Sequence, residues 1–222
     1  REGRTLLAYE RRAASACDIT LLVSEPECRR LETLAPELAG RVHAVEQGVD
    51  LTYFVPGLNL PSPYASPAPR SVFTGNMDYW PNADAAIWFA QQVLPLLRAR
   101  DAASEFIVVG ANPSPEVRAL ADLRGVTVTG RVADVRPYVI HADVAVAPLR
   151  IARGIQNKVL EAMALGVPVV ASPEAFEGVR ATPGQDLLVA DGAEATTQAI
   201  AAVLAGAYPG LRAAGRRAME QH

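Results

Sequence analysis

Residues 144–171 read VAVAPLRIARGIQNKVLEAMALGVPVVA. Val144–Ala147 is an unbroken apolar run, and residues 168–171 form another. Short runs that are apolar at every position suit strands covered on both faces of a parallel sheet. Between them, residues 155–165 follow a helical period, opened by Gly154 and closed by Gly166. Strand, helix and strand at this spacing make the repeating unit of a parallel α/β fold.

The same alternation extends outward. Strands are expected at residues 71–74, 105–109, 126–129 and 187–189, and helices at about 82–98, 114–122, 134–140 and 193–205. The fold class is therefore α/β, a doubly wound Rossmann-like parallel sheet. A last helix, about 208–221, rises from Pro209. Ahead of the sheet lie a helix at 3–16, a strand at 19–23, a helix at about 26–39 stopped by Gly40, and a strand at 42–45. These first elements are too short to bury a sheet of their own. Residues 56–70 (PGLNLPSPYASPAPR) hold five prolines and read as an extended, semi-rigid linker. The expected division is 1–55, 56–70, 71–206 and 207–222. No internal repeat is present.

Composition narrows the function. Of 222 residues half are hydrophobic and 20% charged, so the chain has ample material for a core. Twenty-one Lys+Arg against 24 Asp+Glu leave a net charge of −3, which argues against a nucleic-acid binder. Cys17 and Cys28 show no CxxC spacing and read as reduced thiols. Neither a signal-peptide pattern nor an apolar run of ~20 residues is present, so a cytoplasmic, soluble product without a transmembrane segment is expected. The chain opens at Arg1 without Met and reads as a fragment.

Several chemistries find no support. His43, His141 and His222 are scattered without companions at metal-ligand spacing, so no metal site is expected. There is no GxSxG elbow, no phosphate loop of the Walker type and no GxGxxG. Gly75-Asn76-Met77-Asp78 offers one glycine where a dinucleotide fold uses three, which argues against a nicotinamide or flavin cofactor.

The segment Arg150 to Pro168 is more informative. At 100° per residue, Val159, Leu160 and Met163 fall on one side of a helix, and Gly154, Lys158 and Glu161 on the other. A helix opening at a glycine presents free amides and its positive dipole end to an anion. Lys158 is the only lysine in the chain, and Arg150 and Arg153 precede it. Three cations beside a helix start suit a diphosphate, and a carboxylate on the same face can accept hydrogen bonds from sugar hydroxyls. A solvated i,i+3 pair of Lys158 and Glu161 is the plainer reading. Leu165 on the polar stripe and the use of lysine in an arginine-rich chain weigh against it.

From Lys158 through Glu161-Ala-Met163-Ala-Leu-Gly166-Val-Pro168-Val-Val170 to Ser172, the chain resembles the retaining glycosyltransferases of the GT-B fold, family 4 (glycosyl transferases group 1). Gly48-Val49-Asp50 with Phe54 resembles that family's passage between its two domains, so 1–55 corresponds to the tail of an N-terminal acceptor domain. Asn76-Met-Asp78-Tyr-Trp80-Pro-Asn82 and residues 150–161 are most similar to sugar transferases of exosortase-associated exopolysaccharide systems. The resemblance implies that residues 71–206 bind a nucleotide-sugar, such as a UDP- or GDP-sugar, as substrate without a cofactor. It implies a metal-independent hexosyl transfer to a glycan or lipid-linked acceptor. It also implies a missing N-terminal domain, a fragment inactive alone, and a full-length protein peripheral at the bacterial inner membrane.

Residue by residue, Glu161 corresponds to the family's ribose-binding glutamate, and Gly154, Ile155 and Gln156 would offer amides to the diphosphate. Arg131 and Val132 would border the base, and Gly75 and Asn76 face the phosphates. Two departures are evident. Arg153 stands where the family has a second glutamate, and no Arg or Lys follows Gly75 within 76–82. Phosphate charge would then be met from Arg150, Arg153 and Lys158, making Arg153, Lys158 and Glu161 the catalytic candidates. A GT-B nucleotide-sugar epimerase and a non-catalytic nucleotide-binding module are the competing readings.

Overall fold

The computed structural model describes residues 2–45, 47–65, 67–152 and 154–221, and packing divides the chain into two compact units, Arg1–Gly48 and Val49–His222. In the first unit, α1 (Glu2–Ser15) is followed by β1 (Thr20–Leu22), α2 (Glu25–Leu34) and β2 (Val42–Ala44). The two strands pair in parallel, with Thr20 opposite Val42. Ser24 caps α2 by accepting from the Glu27 N–H at 3.4 Å, with Pro26 in the first turn. The helix stops at Leu34 instead of reaching 39, because Pro36 lacks an N–H and disfavours helical geometry at Ala35. A single 3₁₀ turn, Pro36–Leu38, replaces the expected end. Ala14, Cys28, Ala35, Leu38 and Val42 are the unit's buried apolar residues.

The second unit is built on six parallel strands: β3 (Arg70–Thr74), β4 (Glu105–Val109), β5 (Val126–Val128), β6 (Val144–Ala147), β7 (Val169–Ala171) and β8 (Leu188–Val189). Their order is β5-β4-β3-β6-β7-β8. Ser71 of β3 lies opposite Phe106 of β4 on one side and Val144 of β6 on the other. Chain order therefore reverses at β3/β6, which is where a doubly wound sheet opens a ligand crevice. All four residues of β6 and all three of β7 are buried, as their apolar runs require.

Helices α3 (Trp80–Trp88), α4 (Leu94–Arg100), α5 (Pro115–Ala119), α6 (Arg136–Ile140), α7 (Asn157–Ala164), α8 (Pro173–Phe176), α9 (Gly192–Leu204) and α10 (Leu211–Gln221) complete the unit. α3 and α4 form one continuous rod, joined by a π-turn at Phe89–Val93. Pro95 has no N–H to give and its ring crowds the carbonyl four residues back, so the rod widens by one residue per turn just before it. Phe89 and Phe106 meet across the sheet face with centroids 4.3 Å apart, and both are fully buried. Leu211, Ala214, Gly215, Ala218 and Met219 bury one face of α10, which packs on α7.

Residues 49–65 and 67–69 pack with this unit. Asp50 Oδ1 accepts from the Thr52 and Tyr53 amides, and Arg216 of α10 donates to the carbonyls of Phe54 (2.8 Å), Leu51 (3.4 Å) and Ala164 (2.9 Å). The proline-rich stretch is strapped down by Tyr64, whose hydroxyl donates to the Tyr138 carbonyl at 2.8 Å and whose ring lies 4.3 Å beneath the Arg70 guanidinium. Burial pushes the Tyr64 phenol well above its ordinary pKa.

Candidate functional site

The carboxyl ends of β3, β4 and β5 are laced together by main-chain bonds. Gly75 N–H donates to Val109 O at 3.0 Å, Met77 N–H to Ala111 O at 2.8 Å, and Gly110 N–H to Gly130 O at 3.2 Å. Gly110 passes so close to the neighbouring loop that a Cβ there would lie 1.6 Å from Gly75 O. Asn112 adopts φ 54°, a left-handed conformation that asparagine tolerates. Its amide donates to Asn76 Oδ1 at 3.2 Å and to Asp78 Oδ2 at 3.5 Å. The loop after β3 is thereby held from the β4 side.

The β6 side of the crevice supplies Lys158, in the first turn of α7. Its Nζ donates to Gln156 Oε1 at 3.1 Å and to Asn82 Oδ1 of α3 at 3.3 Å, and sits 5.5 Å from the Phe73 ring centroid. Asn82 is only 6% exposed, and its Nδ2 donates to Asn76 O at 2.9 Å. A Cβ on Gly75 would fall 2.8 Å from that nitrogen, so the glycine makes room for the Asn82 amide. Burial pushes the Lys158 ammonium down to about 8, partly offset by the negative charge of Glu161. Glu161 lies one turn further on the same face of α7, half-buried, and burial raises its carboxyl while Lys158 opposes the rise. Among the described residues no group hydrogen-bonds to the Glu161 carboxylate.

The helix expected to open at Gly154 begins at Asn157. Gly154 has φ 68°, a left-handed conformation outside the helix, and Gln156 is the cap. Gln156 Nε2 donates to Gly154 O at 3.1 Å, which folds the approach loop onto itself. Ile155 packs against the core, half-buried. Arg150 is held by Asp84 of α3: its Nε donates to Oδ2 at 2.9 Å and its Nη2 to Oδ1. Its charge is thus already met by a carboxylate. Arg153 lies outside the described residues. Arg131 is exposed beside Gly130 (φ 69°), and Val132 packs half-buried against the core. Asn82 joins the Gly75-Asn76 loop to Lys158, Lys158 in turn holds Gln156, and Glu161 flanks them on α7.

Sequence reasoning missed Asn82, Asp84 and Asn112. For Asn82 a signal existed: an asparagine among the apolar residues of α3's first turns is a polar side chain in a buried position. A partly buried ammonium and carboxylate one turn apart, beside a helix start whose first amides lack intrahelical partners, can hold an anion together with hydroxyl groups. No cluster of three His, Cys, Asp or Glu able to hold a metal occurs among the described residues. Nor is any helix among them long and apolar enough to cross a membrane.

Residues 68–206 match the family described as Glycosyl transferases group 1. No curated protein matches the sequence significantly. Among solved structures, a glycosyltransferase from Rickettsia africae superposes with a TM-score of 0.77 at 17% identity, covering 92% of this chain and 59% of that one. A sucrose-phosphate synthase from Thermosynechococcus elongatus superposes with a TM-score of 0.76 at 24% identity, over 98% of this chain and 57% of that one. HepE of Anabaena, crystallised with UDP and glucose, gives a TM-score of 0.73 at 14% identity, over 98% and 62%. The chain spans less than two thirds of each of these proteins, and the shared fold is that of GT-B glycosyltransferase domains.

Proposed function

Because the chain belongs to the Glycosyl transferases group 1 family, we propose that it is the donor-binding half of a retaining, family 4 glycosyltransferase that uses a nucleotide-sugar. The observation carrying this reading is the Lys158 ammonium with the Glu161 carboxylate on one face of α7, beside the crevice where strand order reverses. Lys158 and the first amides of α7 would meet the diphosphate, and Glu161 would accept bonds from the ribose hydroxyls. Gly75 and Asn76 would border the phosphates, and Arg131 and Val132 the base. Arg153 completes the proposed catalytic set. Arg150, paired with Asp84, would reach phosphate only by exchanging one anion for another.

In transfer, the bond from the anomeric carbon to the diphosphate breaks, the acceptor oxygen bonds to that carbon on the same face, and the hydroxyl proton passes to the departing diphosphate. Charge on the departing nucleoside diphosphate is stabilised by these fixed donors, without an obligatory metal or cofactor. Full turnover belongs to a longer polypeptide whose N-terminal domain holds a glycan or lipid-linked acceptor, in exopolysaccharide synthesis at the cytoplasmic side of the bacterial inner membrane. The exosortase-associated hexosyl transferases are the proposed subgroup.

A thermal-shift panel of UDP-, GDP- and ADP-sugars tests the donor reading. A ligand at 100 times its Kd adds about 2.7 kcal/mol to native stability, an easily measured rise in Tm. A chain that shifts with none of the three is not a donor domain. In the full-length protein, sugar transfer lost on Glu161→Ala supports catalysis, whereas tight nucleotide binding without turnover identifies a non-catalytic module.

A further inference from the structure

The loop after β3 carries no cation between residues 76 and 82, yet one residue ties it to the charge that α7 supplies. Asn82 has a two-sided amide and uses both sides. Its Nδ2 donates to the Asn76 carbonyl of the loop at 2.9 Å, and its Oδ1 accepts from Lys158 Nζ at 3.3 Å. The residue is 6% exposed and occupies the space that a side chain at Gly75 would need. Asn112 fixes the Asn76 side chain from the β4 loop. An amide in this position orients an ammonium without neutralising it, whereas a carboxylate there would neutralise it. We propose that Asn82 is a positioning residue for donor phosphate, aiming the Lys158 ammonium across the crevice at the loop after β3 while leaving its charge available to the ligand. The proposal rests on the donor reading above and adds to it the residue through which a loop without cations shares the Lys158 charge.

Among the described residues, the groups that touch or charge the Lys158 ammonium are few. Glu161 acts on it from its own helix, and Gln156, the Asn82 amide of α3 and the Phe73 ring of β3 are neutral contacts. Lys158 is also the only lysine of the chain. Lysine labelled with ¹³C and ¹⁵N therefore reports this side chain without overlap, and its titration can be followed by NMR before any ligand is added.

In the unliganded chain, Asn82→Leu removes an oxygen acceptor from the ammonium and is expected to move the Lys158 titration down by roughly one pH unit. Asn82→Asp adds a negative charge and is expected to move it up by at least as much. Unchanged titration in both folded variants overturns the inference, whatever the ligand result. UDP titration of the same proteins gives the second readout. Asn82→Leu is expected to weaken UDP binding about 10-fold in the wild-type background and less than 2-fold in a Lys158→Ala background. A purely structural asparagine would cost the same in both backgrounds, and that result also overturns the inference. If Asn82→Leu does not fold, the isosteric Asn82→Asp carries the test. Wild-type protein should lose UDP affinity as pH rises through about 8, where the ammonium discharges, and Asn82→Asp should bind UDP more weakly than wild type at neutral pH and move that loss to higher pH. Failure of wild-type chain to bind UDP, GDP or ADP defeats the donor reading separately, because the NMR titration does not depend on it.

Discussion

Lys158 holds its charge where burial makes charge costly. Its folded pKa is about 8 against an ordinary 10.5, so between those values the unfolded chain binds the extra proton. Stability attributable to this residue therefore rises as pH climbs from 8 to 10.5, and the penalty stands in full below 8. The shift corresponds to about 3 kcal/mol. Lys158→Met should accordingly raise the urea midpoint at pH 7 while weakening nucleotide binding at least 10-fold, the signature of a residue kept for function at a cost in stability. A lower midpoint would mean that its contacts to Asn82 and Gln156 outweigh its desolvation. Glu161 behaves with the opposite sign: its raised carboxyl pKa makes the ionised form destabilising once pH passes that value. Glu161→Gln should therefore melt higher than wild type at pH 7 in calorimetry, and still bind donor more weakly.

At the scale of strands and helices, close approach decides more than propensity. Gly110→Ala would drive a methyl into Gly75 O, and the two strand ends have no slack because their loops are bonded to each other. A loss of more than about 3 kcal/mol in urea unfolding is expected. Gly215→Ala makes the sharper test. A glycine inside a helix ordinarily costs about 1 kcal/mol relative to alanine. Here a Cβ would lie 2.9 Å from Asp186 O, so the alanine variant should melt lower.

The same contrast explains what could be read from sequence alone. β4 and β6 match their expected bounds residue for residue, and the other strands of the sheet match within a residue, because apolar runs report burial on both faces. Helix ends slipped where one residue's geometry ruled, at Pro36 after α2 and Gly154 before α7, and Pro95 widened the interior of an expected helix into a π-turn. The one-turn helix α8, capped by Ser172, is too short to show a period. Lys158, Gln156 and Glu161 were legible as a motif on one helix. Asn82 and Asp84 were not, because their partners Lys158 and Arg150 lie 76 and 66 positions away. Such pairings are created only when the sheet forms.

The whole molecule is uneven in its capacity to hold itself together. The second unit buries a continuous core on six strands, whereas the first has two three-residue strands over a handful of apolar side chains. Ile19, Leu21, Val23 and Val45 of the first unit remain exposed. Two strands alone are marginal in water. Amides of β1 and β2 should therefore exchange with solvent well before those of β3, β4 and β6 in hydrogen-exchange mass spectrometry. Equal protection of the two units would refute that ranking.

The strand order also sets a timetable for the nascent chain. β3 takes its first partner, β4, about 35 positions later, but its other edge waits for Val144 to pair with Ser71. At a synthesis rate of ~5–20 residues per second, the half-sheet β5-β4-β3 leaves the ribosome about one to four seconds before β6 follows. During that interval the backbone of Ser71 and Val72 is an open strand edge, able to pair with any passing strand. The crevice that would later receive a ligand begins as an unpaired strand edge of the growing protein.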